Sequence, residues 1–215
     1  WSMASFHENG QPYVNTEHLF DFSQRFLDNE FPHCIEMARA FVQPKYQSAA
    51  GGRKALFALD NLWDGIGGLI ATDPTVKYLS GKVTIYSTSP EMSRKAMVYY
   101  LDMSFGDREG LITSKNPETC APEQAAFFKE MFTGADYKEN YAILNNYVRS
   151  LDDNIPPFIH LYIGLSPTMK TFGTTFDPDF GDCYDTAMMI TAHDLYPEKF
   201  ERYMGSYERC KEYKK

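Results

Sequence analysis

Long apolar runs are missing from this 215-residue sequence: none approaches the roughly 18–20 residues that a membrane-spanning helix requires. With no basic-then-apolar stretch either, the expectation is a soluble or peripheral protein, placed in the cytoplasm or against the inner face of a membrane. Positive charge is also scarce. Lys and Arg total 21 against 29 Asp and Glu, a net charge of −8, which excludes nucleic-acid or membrane binding driven by bulk charge. The four cysteines (Cys34, Cys120, Cys183, Cys210) stand far apart, in no CxxC or CxxH spacing, so they read as reduced thiols. The five histidines (His7, His18, His33, His160, His193) have no metal-ligand spacing, and no metal site is expected. GxxxxGK[ST], GxSxG and HExxH are all absent, which leaves P-loop, serine-hydrolase and zincin chemistry without a motif. Nor is there a repeat, a low-complexity segment or a Pro, Gly or Ser-rich linker, so residues 1–215 are expected to form one domain. The chain opens at Trp1 rather than Met and is 15% aromatic, so it is expected to be the C-terminal part of a longer chain.

What is present alternates strand-like and helix-like segments. Residues 1–32 are turn-rich around one short helix, with Thr16 as its expected cap and Phe22, Phe26 and Leu27 on its apolar side. His33–Val42 is apolar enough for a buried strand, closed by Gln43-Pro44. Ser48-Ala49-Ala50-Gly51-Gly52 then opens into a helix whose apolar positions Leu56, Leu59, Trp63, Ile66 and Ile70 recur at helical spacing. A β-branched strand at Val83–Tyr86 follows, and then a helix from Ser89-Pro90-Glu91 to about Phe105, stopped by Gly106. Two amphipathic helices are expected over 122–151, and strands at Phe158–Leu165 and Cys183–Thr191. His160 falls within the first of these strands and reads as a core residue. The order is that of an α/β layer with an antiparallel end.

Three places could carry chemistry. Backbone amides at a glycine-rich helix start form an anion site. Arg53 and Lys54 sharpen this reading, because cations in a first helical turn are disfavoured by ~0.3–1 kcal/mol each unless an anion sits there. The segment from Gln43 to Lys95 holds seven basic and four acidic residues, which leaves the rest of the chain at −11. Such a positive segment suits docking of an anionic carrier. Glu36 and Arg39 are charges inside an apolar strand, so each needs a partner. Positions three apart point to opposite faces of a regular strand, and a break or bulge between Glu36 and Val42 is therefore expected if the two act together. Either they form a structural ion pair, or Glu36 is a general base, or the orienter of one, with Arg39 as an anchor. Finally, Ser166, Thr168 and Lys170, followed by Phe172-Gly173-Thr174-Thr175, place hydroxyls and a cation in a loop at a strand end.

These strings resemble the GNAT-fold N-acyltransferases of the hemolysin-like type, the ornithine-lipid and glycine-lipid synthases. The resemblance rests on Ile35-Glu36-Met37-Ala38-Arg39-Ala40-Phe41-Val42-Gln43-Pro44-Lys45-Tyr46-Gln47, similar to an E-x-x-R strand followed by a V-x-P-x-Y turn. It extends to the helix segment Ala58–Gly67, to Lys77–Val83, and to Pro156–Leu165 and Phe180-Gly181-Asp182 as the last strands. It implies an α/β fold with a GNAT-like central mixed sheet flanked by helices, extra helices at about 122–151, and an N-terminal part of the fold missing. It implies transfer of a long-chain, 3-hydroxyacyl-type group to the amine of a small amino acid, in aminolipid synthesis. The donor would be acyl carrier protein, through its phosphopantetheine, or acyl-CoA, and no cofactor would be permanently bound. Glu36 and Arg39 carry over as the catalytic pair. Gln47, Gly51, Gly52, Arg53 and Lys54 would hold the phosphate, Phe41 and Val42 the pantetheine arm, and Trp63, Ser166 and Thr168 the substrate. The second glycine of the loop comes one position earlier than in the family's pattern. Two rival readings use the same loop: a small-acyl transferase using acetyl-CoA, and a non-catalytic module that binds an acyl carrier.

Overall fold

The computed structural model describes residues 2–38, 43, 44, 58–205 and 207. Its centre is a five-stranded mixed sheet in the order β1 (Ser2–Met3), β5 (Cys34–Met37), β6 (Tyr78–Ile85), β9 (Cys183–Thr191), β8 (Lys170–Asp177). Only β5 and β6 run parallel, in register from Cys34 opposite Tyr78 to Met37 opposite Gly81, and every other pairing in the sheet is antiparallel. A parallel pair needs a long crossover, and the one between β5 and β6 contains helix α2 (Ala58–Thr72). Two small antiparallel pairs accompany the sheet, β2 (Ser5–Phe6) with β3 (Pro12–Tyr13) and β4 (Phe20–Phe22) with β7 (Ile112–Ser114). This is the helix-flanked mixed sheet that the resemblance implied.

Strand β6 explains the layering. Its residues are alternately buried and half-buried, Leu79, Val83 and Ile85 pointing one way and Tyr78, Ser80, Lys82 and Thr84 the other. On the first face, Leu79, Val83 and Ile85 join Ile35, Met188 and Ile190 in the larger core. Helices close it: Trp63, Ile66 and Ile70 come from α2, and Met97 and Leu101 from α3 (Glu91–Phe105). Phe128 of α4 (Pro122–Met131), Leu144 and Val148 of α5 (Tyr137–Ser150) and Ile159 and Ile163 of α6 (Pro157–Ile163) complete it. On the second face, Cys34, Phe172, Ala187 and Met189 meet Leu19, Phe20, Phe26, Phe31, Leu111 and Ile112 in a smaller core. The N-terminal segment, including α1 (Gln24–Asn29), therefore covers the side of the sheet opposite the large helices.

The amphipathic helices form where their spacing predicts them. α3 ends at Gly106, and α5 starts on Asp136, whose carboxylate accepts from the amides of Lys138 and Glu139 at 2.8 and 2.9 Å. Other expectations need correction. Thr16 caps no helix; α1 begins later, with the Ser23 hydroxyl accepting from Phe26 N at 3.2 Å. Ser89 makes no cap either, since α3 begins at Glu91 behind Pro90 without a side-chain cap. The strand expected over His33–Val42 is shorter: Phe31–His33 is a 3-10 turn and the strand ends at Met37. Ala38 lies outside it, and residues 39–42, where a bulge was expected, lie outside the described residues. The apolar run Phe158–Leu165 is helix α6 rather than a strand; Pro157 starts it, and Ile159, Tyr162 and Ile163 fall on one buried side. His160 on that helix is exposed, with Nδ1 3.1 Å from the Tyr141 hydroxyl. The polar segment after Met169, read as a loop, is strand β8, whose register shifts between Thr171 and Thr174 around Gly173 at φ +86°.

Helix α2 carries a pair of glycines with opposite demands. A Cβ on Gly67 would come within 2.1 Å of the Tyr203 carbonyl oxygen, whereas one on Gly65 would meet nothing within 4 Å. Gly65→Ala should raise stability by about 0.5–1 kcal/mol, the helical gain of Ala over Gly. Gly67→Ala should lower it by about 1–3 kcal/mol through overpacking against backbone. Urea unfolding of the two variants checks the pair, and equal effects would contradict the close approach of α2 to residues 201–205.

Candidate active site

Glu36 is the penultimate residue of β5 and projects onto the second face, where only 4% of it is exposed. Its carboxylate is held by a turn some twenty residues earlier in the chain. Oε2 accepts from the Asn15 amide at 2.6 Å, and Oε1 accepts from the amide and the hydroxyl of Thr16, each at 3.1 Å. The turn is fastened on its other side as well. Glu17 accepts from Val14 N at 3.2 Å and contacts His7 Nε2 at 3.1 Å, and Lys115 Nζ donates to the Glu17 carbonyl at 2.9 Å. Two backbone N–H donors and one hydroxyl thus hold Glu36 among the described residues. A carboxylate offers about four lone-pair sites, and among the described residues three are taken, which leaves one acceptor position. Arg39, the proposed partner, lies outside the described residues.

Further across the same face, Lys82 sits between two buried carboxylates. Its Nζ lies 3.0 Å from Asp177 Oδ2 and 2.5 Å from Asp185 Oδ2, and those side chains are 1% and 0% exposed. Thr84 Oγ1 donates to Asp185 at 2.6 Å, the Asp179 amide donates to Asp177 at 3.1 Å, and His18 Nε2 is 3.6 Å from Asp177. Burial works against the Lys82 charge, but the hydrogen bonds and charges of Asp185 and Asp177 outweigh it and raise its pKa. Burial also pushes Asp185 up, with Lys82 and Thr84 opposing. Asp177 ends below the ordinary carboxylate range, because the Lys82 contact overcomes its burial. Burial, with Asp185 and Asp177 close by, pushes the Cys183 thiol up to about 11.

The strap from Val14 to Phe22 spans the distance between these two polar anchors. Outside it lies an open cleft of about 760 Å³, lined among others by His7, Glu17, His18, Phe20, Phe22 and Lys115. Beneath it is a small apolar cavity of about 20 Å³, with Thr16, Phe20, Phe22, Ser80 and Ala187 in its wall. Phe20 and Phe22 separate the two. The arrangement offers a polar cleft, a fixed carboxylate with a spare acceptor site, and an aromatic wall between them.

The other residues named from the sequence fall in three places. Phe41, Val42, Gln47, Gly51, Gly52, Arg53 and Lys54 lie outside the described residues. Trp63 is buried on the helix-covered face, edge-on to Tyr162 with ring centroids 5.8 Å apart. Ser166 and Thr168 knit one chain turn to another: Ser166 Oγ donates to the Asp194 carbonyl at 3.0 Å and Thr168 Oγ1 to Asp194 Oδ2 at 2.8 Å. Both hydroxyls are thereby bonded to Asp194. Sequence reasoning overlooked Lys82, Asp177 and Asp185. The available signal was Lys82 within the alternation of β6, a charge at a position where the sheet is covered.

Removing Lys82 should leave two buried carboxylates unpaired, so Lys82→Met is expected to cost about 3–5 kcal/mol at pH 7. In the native protein Asp177 contributes stability that is lost as pH falls through its depressed pKa, and Lys82 stability that is lost as pH rises through its raised one. In the variant the sign reverses at the acid end: protonation removes an unpaired charge, so its deficit should shrink between pH 7 and pH 4. Urea unfolding across that range provides the check, and a deficit independent of pH would contradict the pairing.

No helix of the described residues is long and apolar enough to cross a membrane. No family model and no solved structure matches the chain. Two curated proteins do. One is the glycine N(alpha)-acyltransferase of Phocaeicola vulgatus, 41% identical over 204 residues, covering 95% of this chain and 62% of that protein. The other is the glycine N(alpha)-acyltransferase of Bacteroides thetaiotaomicron, 41% identical over 205 residues, covering 94% of this chain and 60% of that protein. The chain therefore spans about three fifths of the length of these relatives. Over nearly all of its residues, then, and with a mixed sheet flanked by helices, the chain is similar to these two glycine N(alpha)-acyltransferases.

Proposed function

We propose that the chain carries the acyl-transfer part of an N-acyltransferase that joins a long-chain, 3-hydroxyacyl-type group to the α-amine of glycine, a step in aminolipid synthesis. The observation that carries this reading is the 41% identity to two proteins named for glycine N(alpha)-acylation, over 95% and 94% of this chain. The chemistry needs no covalent intermediate. The amine attacks the thioester carbonyl, the C–N bond forms as the C–S bond breaks, and the thiolate departs with the proton balance of an amide and a thiol. Glu36 has the attributes of the group that accepts the amine proton, through a water at its fourth lone-pair site. The same carboxylate fixes the strap, so it also orients the wall of the acceptor cleft. Donor recognition, by acyl carrier protein or CoA, belongs on this reading to the loop from Gln47 to Lys54 and to the chain at Phe41 and Val42. Arg39 is, on the same reading, the anchoring cation of the pair. The setting would be the cytoplasmic face of a membrane, where the amphiphilic product is delivered.

The test is to incubate the complete protein with 3-hydroxyacyl thioesters of acyl carrier protein and of CoA in the presence of glycine, serine or ornithine, with products followed by mass spectrometry. N-acylglycine is expected. Acylation by acetyl-CoA alone would select the small-acyl reading, and thioester binding without any product would select a non-catalytic module. Glu36→Gln should lower turnover by about 10²- to 10⁴-fold with donor binding retained. A variant that loses only thermal stability would reduce Glu36 to a strap anchor.

A further inference from the structure

The strap leaves a small space on the sheet face that Glu36 occupies. It is the cavity of about 20 Å³ beneath Phe20 and Phe22, and the polar part of its wall is Thr16 and Ser80. Both residues tie the cavity to Glu36. Thr16 gives its amide and its hydroxyl to the Glu36 carboxylate, and Ser80 stands opposite Glu36 in the β5–β6 register, on the same face of the sheet. The rest of the wall is apolar, with Ala187 contributed by β9. Phe22 is half-buried and lines both the cavity and the open cleft, so it stands where a small molecule would pass from one to the other. Phe26 steadies it from the side, stacked with ring centroids 5.8 Å apart.

Size limits what this cavity can take. A water needs roughly 10–15 Å³ of such room, so the cavity accepts about one or two non-hydrogen atoms of a ligand before its wall must move. Glycine offers a nitrogen beside a bare methylene, whereas alanine, serine and ornithine carry a further carbon on the same atom. Charge limits it too, because an apolar wall penalises an unpaired ammonium or carboxylate. The neutral amine enters once Glu36 has taken its proton, and the carboxylate stays in the cleft, whose wall includes Lys115.

We propose that the cavity receives the amine nitrogen and the α-carbon of glycine, and that Phe20, Phe22 and Ala187 exclude larger amino acids by volume. This rests on the acyltransferase reading and deepens it by naming the residues that decide which acceptor is acylated. Glu36 and its turn supply the chemistry and the aromatic wall supplies the selection.

The complete protein is given one 3-hydroxyacyl thioester and an equimolar mixture of glycine and alanine, and the ratio of the two N-acyl products is read by mass spectrometry. That ratio does not depend on how much of a variant is folded. N-acylglycine should exceed N-acylalanine by about 10- to 200-fold, the discrimination that an apolar pocket exerts on one carbon. Phe22→Ala, in the strap, and Ala187→Gly, in the sheet, each enlarge the cavity and should lower the ratio by about 3-fold or more. Ala187→Val fills it and should lower turnover with glycine by about 10-fold or more, with affinity for the acyl donor by equilibrium dialysis unchanged. Alanine acylated as readily as glycine by the native protein, a ratio unmoved in both enlarged variants, or full turnover in Ala187→Val overturns this proposal and leaves the acyltransferase reading standing. A native protein that forms no N-acyl product with any amino acid overturns both.

Discussion

Strand β6 is the constraint on which the rest of the molecule depends. Because side chains alternate, its eight residues must satisfy two different environments at once, an aliphatic one through Leu79, Val83 and Ile85 and a polar one through Ser80, Lys82 and Thr84. A slip of one residue would drive Lys82 into the helix-covered core, so the register with β9 is fixed by charge as much as by packing. Each polar residue on the second face then dictates what must lie beside it. Lys82 requires carboxylates, and β8 and β9 supply Asp177 and Asp185. Those carboxylates in turn draw in His18, and with it the strap.

The strap has a second anchor of a different kind. A buried ion pair is weak evidence for stability, since desolvation consumes most of the attraction. At Glu36 the partners are instead backbone amides and one hydroxyl, from Asn15 and Thr16. The amides of a tight turn need acceptors, and a carboxylate from the sheet needs donors, so each solves the other's burial. The consequence for function is orientation. A carboxylate gripped from one side by the strap keeps its remaining lone-pair site in a fixed direction, which a surface glutamate could not do.

Much of this was readable in advance, and the failures share a cause. Helices α2, α4 and α5 announced themselves by apolar spacing, while Ser89-Pro90-Glu91 and Gly106 marked the two ends of α3. Strand β9 was visible as a dense apolar run. The same signal misled at α6, because a short apolar run has no decisive period; Ile159, Tyr162 and Ile163 separate helix from strand only once burial is known. β8 was hidden by its hydroxyls and by Gly173, which looks like a loop residue but forms the bulge. At the site, Glu36 stood out as a charge in an apolar strand. Its partners did not, because Asn15 and Thr16 lie far upstream and Thr16 looks like a helix cap. Long-range hydrogen bonds leave no trace in local pattern.

The alternation that organises the sheet also bears on how two substrates meet. Glu36 and Met37 are neighbours in β5, yet they face opposite sides, Glu36 toward the strap and Met37 toward the helix-covered core. On the acyltransferase reading the amine belongs with Glu36, on the strap-covered face. Paired strands separate it from the other face, since neighbours lie about 4.8 Å apart and are filled by their own hydrogen bonds. On that reading the two substrates meet where pairing stops. Among the described residues the β5–β6 ladder stops at Met37 and Gly81, one residue beyond Glu36 and beside the Tyr162 hydroxyl. The end of that short parallel ladder thus puts Glu36 on one face and Met37, its neighbour in the chain, on the other.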